Sequence, residues 1–402
     1  MNINPTLSPG ENKTCYQVNM STSLGGAEIY TLFFSKALLA KGWKTTLYVN
    51  EKAAFWHDMD LLGVKLVALR HKDEMLDHLP AQRSLIVTHT SLSGHLADRL
   101  KQQHILTGII HHPVYGGNGE VYRVYQLIFP VSRHVIDTLE AAGIHHYFPE
   151  PLYGMADLDR LKKTAGQPLA AIPAYDWDKR KLRDRLLRLI YPLFWAIKPT
   201  RHFKRKEGIT LGVVSRIAAA KQFPALFEIL SPIIGKFPQI NIEIFGGGVG
   251  YSSISKLKKN LAPIKRQVRF WGPQTDMNQV YHSMDFLLAG LPEREAMGLN
   301  ILEAQFCGTP VLATNARPFN EIVKDGATGF LYTDPRQDNG RDFEQLLTRL
   351  VTSQNFPDPL KEKTFLDFFS FEAFSSRIDI ALTMATGKSP RLETPALSMP
   401  TT

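Results

Sequence analysis

Short, fully apolar runs recur along this chain, and between them lie stretches where apolar residues return every three or four positions. Runs of the first kind predict buried strands, and stretches of the second kind predict amphipathic helices. On this reading the chain opens with a strand over residues 14–18, a polar glycine loop, a helix over about 27–41 and a strand over 45–49. Further strands are predicted at 85–88, 106–110 and 127–131, with helices at 96–102 and 132–142. A second series of strands follows at 209–214, 240–245, 268–271, 286–289 and 311–313, and a last helix at about 371–382. Strands that are apolar throughout and alternate with helices require parallel sheets covered on both faces. The predicted fold class is therefore α/β, with two doubly wound, Rossmann-like domains facing each other across a cleft, where ligands bind beyond the carboxyl ends of the strands. The expected boundaries are an N-terminal domain over 1–157, a linker or insertion over 158–208, a C-terminal domain over 209–370, a helix at 371–385 and a disordered tail at 386–402.

The linker carries a different pattern. Within residues 179–197, KRKLRDRLLRLIYPLFWAI, the apolar residues Leu182, Leu186, Leu189, Ile190, Leu193 and Ile197 fall at helical spacing, with Lys and Arg on the other side. Pro192 is expected to end or kink this helix. The formal net charge of +9 is concentrated here, because residues 178–206 hold eleven Lys or Arg against Asp178 and Asp184 and the remainder is neutral overall. An apolar face beside a cationic one suits an anionic membrane surface, where each basic residue contributes about 1 kcal/mol. The segment 179–206 is thus expected to dock on such a surface, with Phe194 and Trp195 at the interface. The alternative is a linker helix that packs its apolar face on the protein. Nucleic acid is not expected as a partner.

Composition narrows the class further. A chain of 402 residues, 44% of them apolar, can fill two cores. Its two cysteines, Cys15 and Cys307, are far apart and read as buried thiols of a reducing compartment, so neither a disulfide nor a cysteine metal site is expected. The first residues lack a signal pattern, and no apolar stretch approaches the ~18 residues that a membrane span requires. The expected location is cytoplasmic, peripheral on the inner face of the plasma membrane if the basic helix docks.

Candidate chemistry concentrates at residues 293–314, EREAMGLNILEAQFCGTPVLAT. Glu295 and Glu303 stand eight positions apart around Met297-Gly298-Leu299-Asn300, a glycine loop that opens a helix. The free N–H groups of that helix start favour an anion such as a diphosphate. Glu295 then lies in the loop and Glu303 about two turns inside the helix at ~3.6 residues per turn. Ser215-Arg216-Ile217-Ala218-Ala219-Ala220-Lys221 follows a strand and offers two cations, Arg216 and Lys221, suited to clamping a diphosphate. Gly25 and Gly26 follow the first strand, and Gly246, Gly247 and Gly248 follow another, so each loop permits close backbone approach. Trp271-Gly272-Pro273 ends a further strand as a supporting contact. His111 ends a strand in Gly108-Ile109-Ile110-His111-His112-Pro113, with His112 as the alternative in that register and His89 as a weaker candidate.

E-x7-E followed by Cys307-Gly308-Thr309-Pro310-Val311 resembles the donor-site signature of glycosyltransferase family 4. The order of flanking pieces, from Val268-Arg269-Phe270-Trp271-Gly272 to Asp325-Gly326-Ala327-Thr328-Gly329-Phe330, is similar to that family's C-terminal half, and Ser215 to Lys221 resembles its G-R-L-x-x-x-K segment with Ser in place of the usual Gly. The resemblance covers about residues 14–157 and 209–385. It implies a GT-B fold and retaining, metal-independent transfer of a hexosyl group from a UDP- or GDP-sugar to a lipid-linked or glycan acceptor, with no cofactor. It further implies that Glu295 holds the donor sugar, Glu303 the ribose, Arg216 and Lys221 the diphosphate, and the amides of Gly298 and Leu299 the sugar or phosphate oxygens. A histidine at His111 would contact donor sugar or acceptor, Gly25 and Gly26 would face the diphosphate or the acceptor, and the helix at 371–385 would cross back to the first domain. Ala296-Met297 replaces the family's usual Gly-Phe, which bears on donor choice. Asp157-Leu158-Asp159 and Asp176-Trp177-Asp178 spell D-x-D, a metal signature of a different transferase fold, but neither follows a nucleotide-binding strand. The alternatives carried forward are an epimerase or phosphorylase on the same fold and a membrane-binding scaffold without catalysis.

Overall fold

In the computed structural model, described residues are 13–115, 117–156, 158, 161, 168–171, 182, 185, 186, 189, 190, 193, 196, 200–247, 251–353 and 355–387. They form two compact units, one of residues Met1–Met155 with Asp367–Thr402 and one of Ala156–Leu366.

The first unit is built on six strands: β1 (Thr14–Asn19), β2 (Lys44–Asn50), β3 (Lys65–Leu69), β4 (Leu85–Thr88), β5 (Ile105–Ile110) and β6 (Leu127–Pro130). All pair in parallel, in the order β3-β2-β1-β4-β5-β6. The central strands β4 and β5 are buried at every position, which is why they read as continuous apolar runs. β3 sits at an edge with most of its residues partly or fully exposed, so its mixed pattern gave no apolar run to predict. Helix Gly26–Ala40 returns the chain from β1 to β2. The C-terminal helix Phe371–Ala385 lies in this unit, where the Tyr30 ring meets Phe374 edge-on with centroids 5.3 Å apart. Its buried Arg377 donates to the Phe368 carbonyl at 2.8 Å and to the Tyr153 carbonyl at 3.3 Å, and burial holds its pKa down at about 10.

The second unit repeats the plan with β7 (Ile209–Val214), β8 (Ile240–Phe245), β9 (Val268–Gly272), β10 (Phe286–Leu288), β11 (Val311–Thr314) and β12 (Gly329–Tyr332). Its order is β12-β11-β10-β7-β8-β9, again all parallel. Counted within the unit, this is the same 3-2-1-4-5-6 order as the first sheet, the arrangement of dinucleotide-binding folds. Leu211, Val213, Ile242, Ile244 and Leu288 of the sheet and Leu226, Phe227, Leu230 and Leu347 of its covering helices share one core. The edge strand β12 is half-exposed at its middle and, like β3, was missed in the sequence.

In such a sheet the chain direction reverses between the first and fourth strands of the unit, and the loops there part to leave a crevice. In the first unit this switch point lies between β1 and β4, and in the second between β7 and β10.

The linker divides into two parts. Of the cations expected to face a membrane, Arg201 stacks on Trp271 at 4.7 Å, Arg205 pairs with Asp285, and Lys206 Nζ donates to the Arg266 carbonyl at 2.9 Å. These three are occupied by the second unit, which limits the expected docking segment to residues before about 200. There the described residues Leu182, Arg185, Leu186, Leu189, Ile190, Leu193 and Ala196 are all helical and exposed. Pro192, Phe194, Trp195, Ile197 and both D-x-D sequences lie outside the described residues, except Leu158.

Candidate active site

The loops at the second unit's switch point carry most of the motif residues. After β7 the chain makes a turn of 3-10 helix, Ala219–Lys221. After β10 it runs through Gly290 and Glu295 to helix Leu299–Phe306. The two loops touch along their backbones, since a Cβ on Gly290 would stand 2.7 Å from the Lys221 carbonyl oxygen. They also touch through charge: Lys221 Nζ donates to a carboxylate oxygen of Glu295. Asn300 ties the start of the helix to the end of β7, donating Nδ2–H to the Val214 carbonyl at 3.0 Å.

Gly298 caps the helix in the left-handed region, at φ +92°, a conformation that glycine adopts without a Cβ penalty. Met297 is buried; the Ile301 amide donates to the Gly298 carbonyl at 2.9 Å, while the Leu299 and Asn300 amides precede the first intrahelical bond. Glu303 lies five residues into this helix, a little over one turn from its start rather than about two. It is nearly buried, and its carboxylate accepts the Tyr281 hydroxyl at 2.6 Å. Tyr281 carried no motif and was not singled out in the sequence. The loop before Glu295 is held in turn by Arg336, which pairs with both Glu293 and Asp334 and keeps the Asp334 carboxyl below its usual range.

The remaining candidates of this unit fall on the same rim. Arg216 is exposed, two residues past β7. Gly246 has φ +129°, and a Cβ there would lie 2.0 Å from the Ser215 carbonyl oxygen. Its backbone N–H donates to the Gly272 carbonyl at 2.8 Å. Gly246 therefore packs the loop after β8 between the loops after β7 and β9, a close backbone approach that a side chain would block. Gly247 has open space around its Cβ position, and its carbonyl accepts from Ile217 at 2.8 Å. Gly248 lies outside the described residues. Buried Glu243 joins β8 to β9, accepting from Arg269 Nε at 2.7 Å and Trp271 Nε1 at 2.6 Å.

In the first unit, Gly25 caps helix Gly26–Ala40 with extended backbone. The histidines sort themselves clearly. His111, just past β5, is half-buried, and its Nε2 lies 3.2 Å from Nδ1 of His89, just past β4. His112 is exposed and lies beside the Tyr122 hydroxyl at 3.2 Å. The His89–His111 row continues into Gln17 of β1, whose Oε1 is 3.1 Å from His89 Nε2. Burial pushes the His111 pKa down to about 3, helped by the neighbouring His112, and burial with the neighbouring His111 drives that of His89 well below its ordinary value. Gln17 was not foreseen as part of this row. Cys15 and Cys307 are both free and buried, and burial raises the Cys307 thiol to about 12.

Residues 197–365 match the family described as Glycosyl transferases group 1. D-inositol 3-phosphate glycosyltransferase of Mycobacterium marinum is 35% identical over 135 residues, covering 32% of this chain and 28% of that protein. N-acetyl-alpha-D-glucosaminyl L-malate synthase of Bacillus anthracis is 35% identical over 88 residues, covering 22% of this chain and 23% of that protein. The chain thus spans about a quarter of the length of these curated relatives. The crystal structure of Anabaena Alr3699/HepE in complex with UDP and glucose superposes with a TM-score of 0.66 at 17% identity, covering 93% of this chain and 100% of that one. The two sheets of identical strand order are those of the GT-B fold, and residues 197–365 are similar to the glycosyl transferases group 1 family.

Proposed function

We propose that this protein is a retaining glycosyltransferase that moves a hexosyl group from a nucleoside diphosphate sugar to a hydroxyl of a lipid-linked or polysaccharide acceptor in cell-envelope glycan synthesis. The observation that carries this reading is the Lys221–Glu295 pair at the second unit's switch point, four residues before a glycine-capped helix start. A cation, an anion-seeking helix end and a carboxylate suit a diphosphate joined to a sugar.

In the step proposed, the bond from the anomeric carbon to the diphosphate oxygen breaks and a bond from that carbon to the acceptor oxygen forms on the same face. The acceptor proton passes to the departing diphosphate. Lys221 and Arg216 neutralise the charge that builds on the leaving group, and the amides of Gly298 and Leu299 donate to its oxygens. Glu295 accepts from hydroxyls of the transferred sugar, and Glu303, held by Tyr281, accepts from the ribose. These groups bind and orient, and the donor supplies its own base.

The test is thermal unfolding with UDP, GDP, ADP and their sugar conjugates, without added metal. The structure of similar fold with UDP and glucose makes the uridine nucleotide the first to try. At 100 times Kd a ligand adds about 2.7 kcal/mol of stability. One nucleoside diphosphate should raise Tm, and Glu303→Ala should abolish the rise; no response to any of them overturns the proposal.

A second reading, compatible with the first, concerns location. Leu182, Leu186, Leu189, Ile190 and Leu193 are between 58% and 83% exposed on one helical face, in a segment whose sequence interleaves them with Lys and Arg. This supports peripheral docking on an anionic leaflet at the cytoplasmic side. No helix among the described residues is long and apolar enough to cross a membrane. Co-sedimentation with vesicles of phosphatidylcholine plus phosphatidylglycerol, but not of phosphatidylcholine alone, is expected. Replacing Leu186, Leu189 and Leu193 by Ser should abolish it, and equal binding by that variant would sink the idea.

A further inference from the structure

The row of polar side chains at the carboxyl edge of the first sheet has a proton inventory that can be read end to end. Gln17, on β1, is fully buried. Its amide Nε2 donates both protons, one to Ser35 Oγ at 2.9 Å and one to Thr45 Oγ1 at 2.8 Å. The Ser35 hydroxyl accepts when its own proton goes to the Thr31 carbonyl at 2.9 Å; its Oγ also lies 3.2 Å from Gln17 Oε1. In this amide orientation Gln17 Oε1, an acceptor only, faces His89 Nε2 at 3.1 Å. His89 must carry a proton on Nε2. A neutral His89 is then bare at Nδ1, and this bare nitrogen faces His111 Nε2 at 3.2 Å. His111 must in turn carry its proton on Nε2, which leaves its Nδ1 a lone pair without a proton.

Packing keeps the rings in this arrangement. His89 and His111 stack with centroids 5.4 Å apart, Phe34 meets His89 edge-on at 5.3 Å, and Tyr30 meets His111 at 4.8 Å. No carboxylate is recorded in hydrogen bonds or ion pairs with either histidine among the described residues, and both pKa values are held down by burial. The titratable groups beside the pair are His112, which helps to lower the His111 pKa, and Tyr30, whose hydroxyl is held above its ordinary range by burial.

We propose that Gln17 and His89 are positioning residues that lock His111 as the Nε2–H tautomer, so that Nδ1 of His111 accepts a hydrogen bond from a sugar hydroxyl during transfer. This rests on the glycosyl transfer proposed above for what His111 meets, but the lock itself does not. It assigns His111 the work of orienting a hydroxyl rather than removing its proton, since a histidine this reluctant to ionise is a weak base. Gln17 acts only through His89, across three neighbouring strands, β1, β4 and β5.

The tautomers are distinguishable by long-range ¹H–¹⁵N correlation spectra of the full chain labelled with ¹⁵N-histidine, with His111 assigned by its loss in His111→Gln. In the wild-type protein at pH 7, Nδ1 of His111 should resonate as an unprotonated and Nε2 as a protonated imidazole nitrogen. In Gln17→Met, His89 loses the acceptor for its Nε2 proton and should move that proton to Nδ1. It then donates to His111, whose tautomer inverts although Gln17 does not touch it. In His89→Phe, His111 loses its acceptor and both tautomers should appear. With a donor facing the hydroxyl instead of an acceptor, kcat/KM for transfer by Gln17→Met should fall about ten- to hundredfold. A wild-type His111 protonated on Nδ1, or a Gln17→Met spectrum unchanged from wild type, overturns the lock. An unchanged kcat/KM in a variant whose tautomer has inverted overturns the role of Nδ1. Spectra as expected in a protein that transfers no sugar would leave the lock standing and remove the transferase reading instead.

Discussion

The contact between Tyr281 and Glu303 allows a perturbation whose size can be worked from its geometry. Tyr281 is fully buried, Glu303 is 8% exposed, and the hydroxyl meets the carboxylate at 2.6 Å. Tyr281→Phe removes one oxygen and leaves the ring in place, so the packing term is small. What is lost is a hydrogen bond to a charged group, which contributes about 1.5–3 kcal/mol. In a unit of this size each kcal/mol shifts Tm by about 2–4 °C, so the fall should be about 3–12 °C.

Glu303→Gln completes the cycle, since the amide oxygen still accepts from Tyr281 but without charge. If the pair is one interaction, the double variant should be less destabilised than the sum of the singles by about 1 kcal/mol or more. The same Tyr281→Phe protein should bind a nucleoside diphosphate about tenfold more weakly, the equivalent of about 1.4 kcal/mol, because the carboxylate loses a partner that orients it. Thermal unfolding by circular dichroism measures the first effect, and isothermal titration calorimetry the second. Additive singles, or a Tm for Tyr281→Phe within a degree of wild type, would refute the reasoning.

Three further outcomes follow from other contacts. Gly246→Ala should cost several kcal/mol and lower soluble yield, because its Cβ would meet the Ser215 carbonyl oxygen at 2.0 Å, whereas Gly247→Ala, with nothing within 4 Å, should unfold near the wild-type temperature. Arg216→Ala and Glu295→Ala should each reduce transfer at least a hundredfold, about 2.7 kcal/mol of transition-state stabilisation, with Tm nearly unchanged; wild-type rates in both would remove the proposed site. Acid should destabilise the first unit: His111 has a folded pKa of about 3 against about 6.5 unfolded, so the unfolded chain binds more protons below pH 6.5. Its contribution is intact above that pH and is lost by about 1.4 kcal/mol per unit as pH falls towards 3, so the urea midpoint should drop between pH 7 and 5 and drop less in His111→Gln.

What the sequence disclosed of this fold depended on whether a feature was local. Strands β4 and β7 are buried at every position and appear as largely apolar runs with correct ends, and β8 alternates Ile with the buried Asn241 and Glu243, whereas β3 and β12 at the sheet edges are partly exposed and carry mixed residues. Glu295, Gly298 and Glu303 were legible because one loop and one helix carry them. Gln17 and His89 stand 72 positions apart and meet only because β1 and β4 are neighbours. Tyr281 meets Glu303 across 22 positions, from one helix to another. Arg201, Arg205 and Lys206 looked like part of one cationic surface, and only their partners Trp271, Asp285 and Arg266 separate them from it. Spacing reports what shares a helix face or a turn, while contacts across a sheet belong to topology.

Two sheets of the same strand order have been given different chemistry at equivalent places. At the second unit's switch point the loop contacts include a Lys–Glu ion pair beside a helix start, groups that act through charge. At the first unit's switch point the row Gln17, His89, His111 is neutral and passes only hydrogen-bond direction from strand to strand. Charge suits the diphosphate of a donor, and a fixed acceptor suits a hydroxyl, whose one proton must be pointed rather than attracted. The cost of the neutral row is that burial lowers both histidine pKa values while no carboxylate pairs with either among the described residues, so they must remain uncharged at working pH. That is why an exchange as small as Gln17→Met, which adds no charge and touches no substrate, is expected to reverse what His111 offers.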